Sequence, residues 1–125
     1  MQADDVTAWN RTSELLRRFN DAFRFHDPAA LVELVATDCI IENTQPAPEG
    51  SRHVGREACL SVWQGLASAP GTQFELEEVF VAGERALIRW RYRFAEGESG
   101  SIRGVNIMCV RDGLIVEALG YVKGP

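Results

Sequence analysis

The stretch DCIIENTQPAPEGSRHVGREACLSVW, residues 38–63, decides how the rest of the chain is interpreted. Its first part, Ile40 to Thr44, is rich in β-branched and apolar residues, which predicts a strand. Two prolines and a glycine within Gln45 to Gly50 then prevent a continued ladder or a helix. After Gly55, apolar residues at helical spacing predict a helix whose inner face carries Cys59, Leu60, Trp63, Leu66 and Ala67. Because a long irregular connection in a small domain is often functional, the stretch predicts the rim and one wall of a pocket.

Length and composition exclude several classes of protein. The 125 residues predict a single domain, 1–125, and 46% of them are apolar and 25% charged. A net charge of -5 argues against a nucleic-acid or anionic-membrane partner. No apolar run approaches the length of a membrane span, and the first 25 residues are too charged for a signal peptide. Cys39, Cys59 and Cys109 are odd in number and widely spaced, which favours reduced core thiols and a cytoplasmic location.

Two periodicities divide the chain. Helical spacing predicts a helix over about 6–26, a short second helix with Asp27 as N-cap and Pro28 at its first position, and a third helix over about 55–68. Strands are then predicted over 73–81, 86–95, 101–110 and 114–122, with hairpin turns after the first and the third. Helices followed by a meander predict the α+β class, with three N-terminal helices packed on a mainly antiparallel sheet.

The residue patterns of two predicted strands indicate which of their faces are packed against other parts of the protein. The strand over 86–95 alternates apolar residues with Arg89, Arg91 and Arg93, which predicts one packed face and one polar face. The segment from Gly104 to Val110 is instead apolar on both faces. Helices can cover one of these faces, and a second subunit is the simplest cover for the other. We therefore expect a homodimer formed through the outer face of the sheet.

Several spaced motifs resemble the nuclear transport factor two-like superfamily, and within it the SnoaL-like group. The motifs are Val54-Gly55-Arg56-Glu57-Ala58 followed by Trp63, Arg103-Gly104-Val105-Asn106, and Asp112-Gly113-Leu114-Ile115-Val116-Glu117. The resemblance covers nearly the whole chain. It implies a cystatin-like, cone-shaped barrel, in which a strongly curved sheet wraps a long helix around a pocket. It implies little about function, because isomerases, epoxide hydrolases, polyketide cyclases, dehydratases and non-catalytic binders share the fold.

Matching to the ketosteroid isomerases of this superfamily implies that their acid–base groups are missing. Their basic aspartate falls at Asn43, their oxyanion-hole tyrosine at Phe19, and their protonated aspartate at Asn106. Since an amide cannot abstract a proton, the isomerase mechanism is not expected. Asn106 can still donate a hydrogen bond to a carbonyl or enolate oxygen.

Matching to limonene-epoxide hydrolases gives a similar result. Their asparagine and arginine match Asn43 and Arg91, whereas their tyrosine falls at Ile41 and their two acids at Arg93 and Gly120. With both carboxylates gone, this mechanism is not expected either. Strand alternation places Arg91 on the outer face and the resemblance places it inside, so its orientation stays open.

These observations predict a largely apolar pocket with a few polar groups. Asn43 and Asn106, on opposite walls, are the candidates for polarising an oxygen. His53 in the rim loop, a candidate by residue type only, or an acid that the sequence does not place would move the proton. Each of these residues also has a structural interpretation, in which the amides close a network and the aromatic residues fill the core. No metal site or cofactor is predicted. The predicted substrate-binding residues are Phe19, Phe23, Ile41, Trp63, Trp90, Met108 and Gly120.

Three hypotheses for function stay open. The first is a cofactor-independent isomerase, cyclase or lyase that acts on a small hydrophobic carbonyl compound. The second is a non-catalytic binder of a small apolar molecule, which the missing carboxylates favour. The third is a dimerisation module without a ligand, for which a filled cone is expected.

Overall fold

The computed structural model describes residues 3–95 and 100–124, with side chains from residue 6 onward, and has three helices on a six-stranded sheet. No helix in this described part of the chain is long and apolar enough to cross a membrane. The predicted α+β class is confirmed. The helices are α1 (Ala3–Arg24), a 3-10 helix (Pro28–Leu34) and α2 (Arg56–Ser68). The strands are β1 (Val35–Asn43), β2 (Ser51–Val54), β3 (Gln73–Ala82), β4 (Arg85–Arg93), β5 (Ser101–Arg111) and β6 (Leu114–Val122).

The strand order is β2-β1-β6-β5-β4-β3, and only β1 and β6 pair in parallel within the described sheet. The prediction of a mainly antiparallel, curved sheet is therefore confirmed. The register shifts between β1 and β6, between β3 and β4, and between β5 and β6. Such bulges bend a strand and increase its local twist, which helps the sheet to curve around the helices.

Strand β2 lies inside a segment that we predicted to be an irregular loop. It pairs antiparallel with β1, so that Ser51 lies opposite Asn43 and Val54 opposite Ile40. The reversal depends on Gly50, which has a φ of 79° and donates its N–H to the carbonyl of Pro46 over 2.7 Å. A Cβ at this position would lie 1.9 Å from the carbonyl oxygen of Asn43, so no other residue fits. The prediction missed β2 because four residues are too few to show an alternation.

Helix α1 and helix α2 cover the inner face of the sheet. The helical spacing in α1 places Leu15, Leu16, Phe19, Ala22 and Phe23 on one side, and all of them are buried. The other side of α1 is charged and carries an ion pair between Arg17 and Glu14. Helix α2 contributes its buried residues Cys59, Leu60, Trp63 and Ala67 to the same core.

The outer face of the sheet carries a continuous apolar row. The strand registers place Phe80 beside Leu87, Leu87 beside Ile107, and Ile107 beside Leu119. We call these four residues the outer apolar row. Phe80 is 58% exposed, and the other three are half-buried. The row is flanked on one side by the ion pair Arg89–Glu78 and on the other by Arg85–Glu117.

Candidate functional site

A cavity of about 660 Å³ lies between the helices and the inner face of the sheet. Its walls come from α1, β1, α2, β3, β4, β5 and β6. Eight of the ten predicted site residues line it: Phe19, Phe23, Ile41, Asn43, Trp63, Trp90, Asn106 and Gly120. The cavity is therefore bounded mainly by apolar and aromatic side chains, with the two amides among them.

Aromatic rings form a connected frame around this space. Phe19 contacts Phe23 and Trp63 edge-on, with ring centroids 5.0 and 4.9 Å apart. Phe74 continues the frame to Phe23 and Trp90 at 5.3 and 5.6 Å. Edge-to-face pairs of this kind stabilise a particular arrangement of the rings. The rings thus hold one another in place around the cavity.

Asn106 on β5 has a fixed orientation. The indole Nε1–H of Trp90 donates to Asn106 Oδ1 over 3.2 Å. Trp90 reaches this position because it lies directly opposite Gly104, where an added Cβ would be 2.5 Å from the indole ring. Indole is only a donor, so the amide must turn its oxygen toward Trp90. The Nδ2 group then has no acceptor among the described residues and is available to the cavity.

Asn43 lies on the same sheet wall as Asn106. Strand β6 separates the strands that carry the two amides, and Gly120 on β6 lies opposite Asn106. We expected opposite walls, and this was wrong because β1 and β5 are both neighbours of β6. Asn43 Oδ1 accepts the backbone N–H of Thr44 over 2.8 Å, which leaves its Nδ2 as a second donor without an acceptor among the described residues. The sheet wall of the cavity therefore carries two amide groups whose oxygens are already engaged.

His53 and Met108 do not line the cavity. Met108 is fully buried in the core and lies two residues beyond Asn106, on the same face of β5. His53 lies on β2, and its Nε2 is 3.0 Å from Ser51 Oγ. The Ser51 hydroxyl donates to the carbonyl of Gln45 over 2.8 Å, so it can only accept from His53. His53 is therefore held in the β1–β2 region rather than directed at the aromatic frame.

The rim of the cavity is charged, and its carboxylates are paired. Asp21 contacts Arg17 at 3.0 Å, Glu42 contacts Arg52 at 3.1 Å, and Glu75 contacts Arg93. Among the described residues, each rim carboxylate thus has a guanidinium partner. Helical and strand spacing alone does not show where a rim lies, so Asp21 and Glu75 were not predicted as site residues.

Phe74 and Tyr92 were also missed, although both line the cavity. They lie opposite each other on β3 and β4, with ring centroids 4.4 Å apart. Tyr92 shares the strand face of Ile88 and Trp90, so the alternation that placed Trp90 could have found it. The same alternation puts Arg91 on the outer face, and it is not among the cavity residues. The match to the epoxide hydrolase arginine therefore does not extend to its position.

The buried thiols do not provide a nucleophile. Burial raises the pKa of Cys39 and also that of Cys59. The thiol of Cys59 donates to the carbonyl of Cys39 over 3.3 Å. Both cysteines are free and fully buried, as predicted for core thiols. Within the described residues, no three side chains of His, Cys, Asp or Glu form a group that could hold a metal ion.

Comparison with known proteins gives a family and a fold. Residues 16–118 match the family model of the SnoaL-like domain, and no curated protein matches the chain. An NTF2-like protein of unknown function from Mesorhizobium loti is 62% identical, with 93% of each chain covered and a TM-score of 0.87.

More distant structures carry names that suggest activities. A candidate polyketide cyclase from Sinorhizobium meliloti is 27% identical over 86% of this chain and 94% of its own, with a TM-score of 0.70. A candidate ketosteroid isomerase from Kribbella flavida is 21% identical over 93% of this chain and 80% of its own, with a TM-score of 0.76, and supports the fold alone. The match over residues 16–118, together with the 62% identical relative, shows that the chain belongs to the SnoaL-like domain family of the NTF2-like superfamily.

Proposed function

We propose that this domain binds a small, largely apolar molecule that carries a carbonyl-type oxygen. The observation that carries the proposal is the Asn106 amide, whose oxygen is engaged by Trp90 while the residue lines an aromatic cavity. A donor in such surroundings favours a ligand oxygen, because a hydrogen bond is stronger where water is excluded. The aromatic frame would contact the apolar body of the ligand, and the amide would orient it.

Binding without turnover is the activity that the cavity lining supports best. A general base must be free to accept a proton within hydrogen-bonding reach of the ligand. Each of the three rim carboxylates, Asp21, Glu42 and Glu75, is already paired with an arginine. The cavity itself argues against the third hypothesis, in which the cone is filled by side chains.

A cofactor-independent isomerase, cyclase or lyase is the second candidate. It is favoured by the two amide donors of Asn43 and Asn106, which would polarise a carbonyl or stabilise an enolate between them. The names of the Sinorhizobium and Kribbella proteins point to the same classes of reaction. The candidates are separated by assaying activated ketones over a range of pH. An enzyme gives turnover with a pH–rate profile, whereas a binder gives no turnover.

The binding proposal is tested first on the purified protein. Native mass spectrometry should reveal a co-purified apolar molecule, and titration with 9-fluorenone, a planar ketone, should give a measurable Kd. Replacing Asn106 by Ala should weaken fluorenone binding by about 1–3 kcal/mol through the lost hydrogen bond. The matched control is Asn10→Ala, at an exposed asparagine on α1. Absence of fluorenone binding, or equal affinity in the Asn106 variant, would contradict the proposal.

We also propose a homodimer formed through the outer apolar row. The row offers four adjacent apolar side chains flanked on each side by one ion pair, which is consistent with an interface core beside polar groups. Sedimentation should show a dimer at micromolar concentration, and Ile107→Asp should convert it to a monomer or cause aggregation. Val6→Asp changes an exposed valine on α1 in the same way and should leave the dimer intact. A monomeric wild type would contradict this proposal.

A further inference from the structure

The orientation of the Asn106 amide has a consequence for which ligands the cavity accepts. An asparagine side chain carries an acceptor and a donor that differ only by rotation of the amide. A free amide at this position would accept ligands with either kind of polar group. In this protein the indole N–H of Trp90 engages Oδ1 over 3.2 Å, so the two orientations are no longer equivalent.

Two glycines make this contact possible. An added Cβ at Gly104 would lie 2.5 Å from Trp90 Cζ2 and 2.5 Å from the backbone oxygen of Tyr121, so a side chain there would displace the indole. An added Cβ at Gly120 would lie 3.3 Å from Asn106 Oδ1 and would crowd the amide from the other strand. The indole and the amide thus meet in a space that both neighbouring strands leave open.

Rotating the amide would have a clear cost. It would bring the NH₂ group against the indole N–H, so that two donors would face each other and a mostly buried N–H would lose its partner. Trp90 is only 8% exposed, so water cannot readily replace the lost acceptor. The amide of Asn43 is held in the same sense by the N–H of Thr44, so both amides on the sheet wall present donors.

We propose that Trp90 is a specificity-determining residue. By holding the Asn106 oxygen, it makes the cavity select ligands whose polar atom is a hydrogen-bond acceptor and reject those that present a donor. The inference rests on the proposed function, because it concerns the ligand of the same cavity. The new element is the selection against donor ligands, and the indole of Trp90 is the group that imposes it.

A series of three planar tricyclic probes tests the selection. Fluorene carries CH₂, 9-fluorenone C=O and carbazole N–H at the same place, so they differ in hydrogen bonding and little in shape. Wild-type protein should bind fluorenone roughly tenfold more tightly than fluorene, as expected for one hydrogen bond of about 1.4 kcal/mol. Carbazole should bind no more tightly than fluorene, because its N–H would face another donor.

Trp90→Phe keeps an aromatic ring and removes the donor. The Asn106 amide can then turn either way, so the preference for fluorenone over carbazole should fall by at least about threefold. The main reason is that the carbazole N–H can then donate to the freed Asn106 oxygen. Asn106→Leu, which keeps the approximate size of the side chain, should remove the advantage of fluorenone over fluorene. Trp9→Phe is the matched control for loss of an indole, since Trp9 is 50% exposed on α1 and outside the cavity.

A measurement without ligand tests the contact itself. The indole Hε1 signal of Trp90 should be shifted downfield and protected from exchange in the wild type, and Asn106→Leu should abolish both effects. Unchanged Hε1 behaviour in that variant, or an unchanged fluorenone-to-carbazole ratio in Trp90→Phe, would overturn the inference and leave the proposed function standing. Failure of all three tricycles to bind wild-type protein would overturn the proposed function and the selectivity with it.

Discussion

On the inner face of the sheet, the paired strands β5 and β6 are packed differently at their two ends. At one end, Val110 lies opposite Ile115, and both are buried. Next to them Met108 lies opposite Ala118, which is buried but lines the cavity, so this pair marks the boundary. At the other end, Asn106 lies opposite Gly120, and both line the cavity. One end is therefore a packed core, and the other is a wall of an open space.

The difference lies in side-chain size and in the direction of Trp90. Glycine and asparagine supply too little volume to meet the helices across the sheet. Trp90 is large enough to fill the gap, yet it lies against Gly104 and engages the Asn106 amide. The cavity thus follows from small residues on two strands together with an aromatic residue held against the wall.

The largest expected effect is a difference in unfolding free energy between a variant at the packed end and a variant at the open end. Ile115→Ala, at the fully buried end, should lower the free energy of unfolding by about 2–5 kcal/mol, because it leaves a cavity in a packed core. Ile102→Ala removes the same atoms from a half-buried residue that lines the existing cavity and should cost clearly less. Urea denaturation of both variants measures the difference. Equal losses would show that the two ends are equally well packed.

The next largest effect is the loss of stability when Gly104 or Gly120, the two glycines of the open end, is replaced. Gly104→Ala should lower the free energy of unfolding by about 1–3 kcal/mol, because its Cβ would meet both the Trp90 ring and the backbone of Tyr121. Gly120→Ala should cost less, since its Cβ contacts begin at 3.1 Å. Thermal unfolding compares the two. A larger loss for Gly120→Ala would contradict the role assigned to the indole contact.

Much of the fold could be predicted because the two periodicities are strong. The spacing in α1 and the alternation in β4 each reflect one buried face. Leu15 to Phe23 in α1 and Ala86 to Trp90 in β4 show that burial, whereas Trp9 and Phe94, farther along the same faces, are exposed. Strand β2 could not be predicted, because its four residues have no pattern of their own and are specified by pairing with β1. The position of β1 beside β6 is likewise a contact between distant parts of the chain that spacing does not show.

The site was predictable where face parity sufficed. Parity assigned Asn106 to an inward face, the family resemblance assigned Gly120 to the matching face of the next strand, and both line the cavity. The Trp90–Asn106 hydrogen bond was not predictable, because it depends on how an indole lies across the neighbouring strand. His53 was proposed as a proton carrier by residue type, in a segment expected to be a loop, whereas in β2 its ring contacts Ser51. The sequence therefore indicates which residues share a face more readily than where their polar atoms point.

A smaller effect is expected from introducing a base at the sheet wall. Asn43→Asp would place a carboxylate where isomerase relatives have their base, and weak proton transfer from an activated ketone is the expected gain. The gain should be small, because the Thr44 N–H that now donates to Asn43 would stabilise the carboxylate, and Phe19 lacks the oxyanion hydroxyl. Ketone turnover is compared with Asn10→Asp, at an exposed position on α1. Turnover equal in the two variants would show that position 43 does not reach the bound ketone.

The smallest expected effect is a pH dependence of stability. It comes from two surface ion pairs, one near each end of the strands. A hydrogen bond from Arg103 lowers the pKa of Glu77 from 4.5 near the cavity end, and one from Arg111 lowers the pKa of Asp38 from 3.8 near the packed end. Since both pKa values are lower in the folded protein, each pair contributes stability above the ordinary carboxyl pKa. That contribution is lost as the pH falls through the folded value.

Arg103→Gln and Arg111→Gln should therefore lower the Tm slightly at pH 7, and the loss should be smaller at pH 2, because protonation of the carboxyls removes the ion pairs. Arg103→Gln should have the larger effect, because the Glu77 side chain is 24% exposed and Asp38 is 61% exposed, so solvent screens the second pair more. Thermal unfolding at the two pH values measures both differences. A Tm loss that is as large at pH 2 as at pH 7 would mean that the arginines act through packing of their aliphatic stems and not through charge.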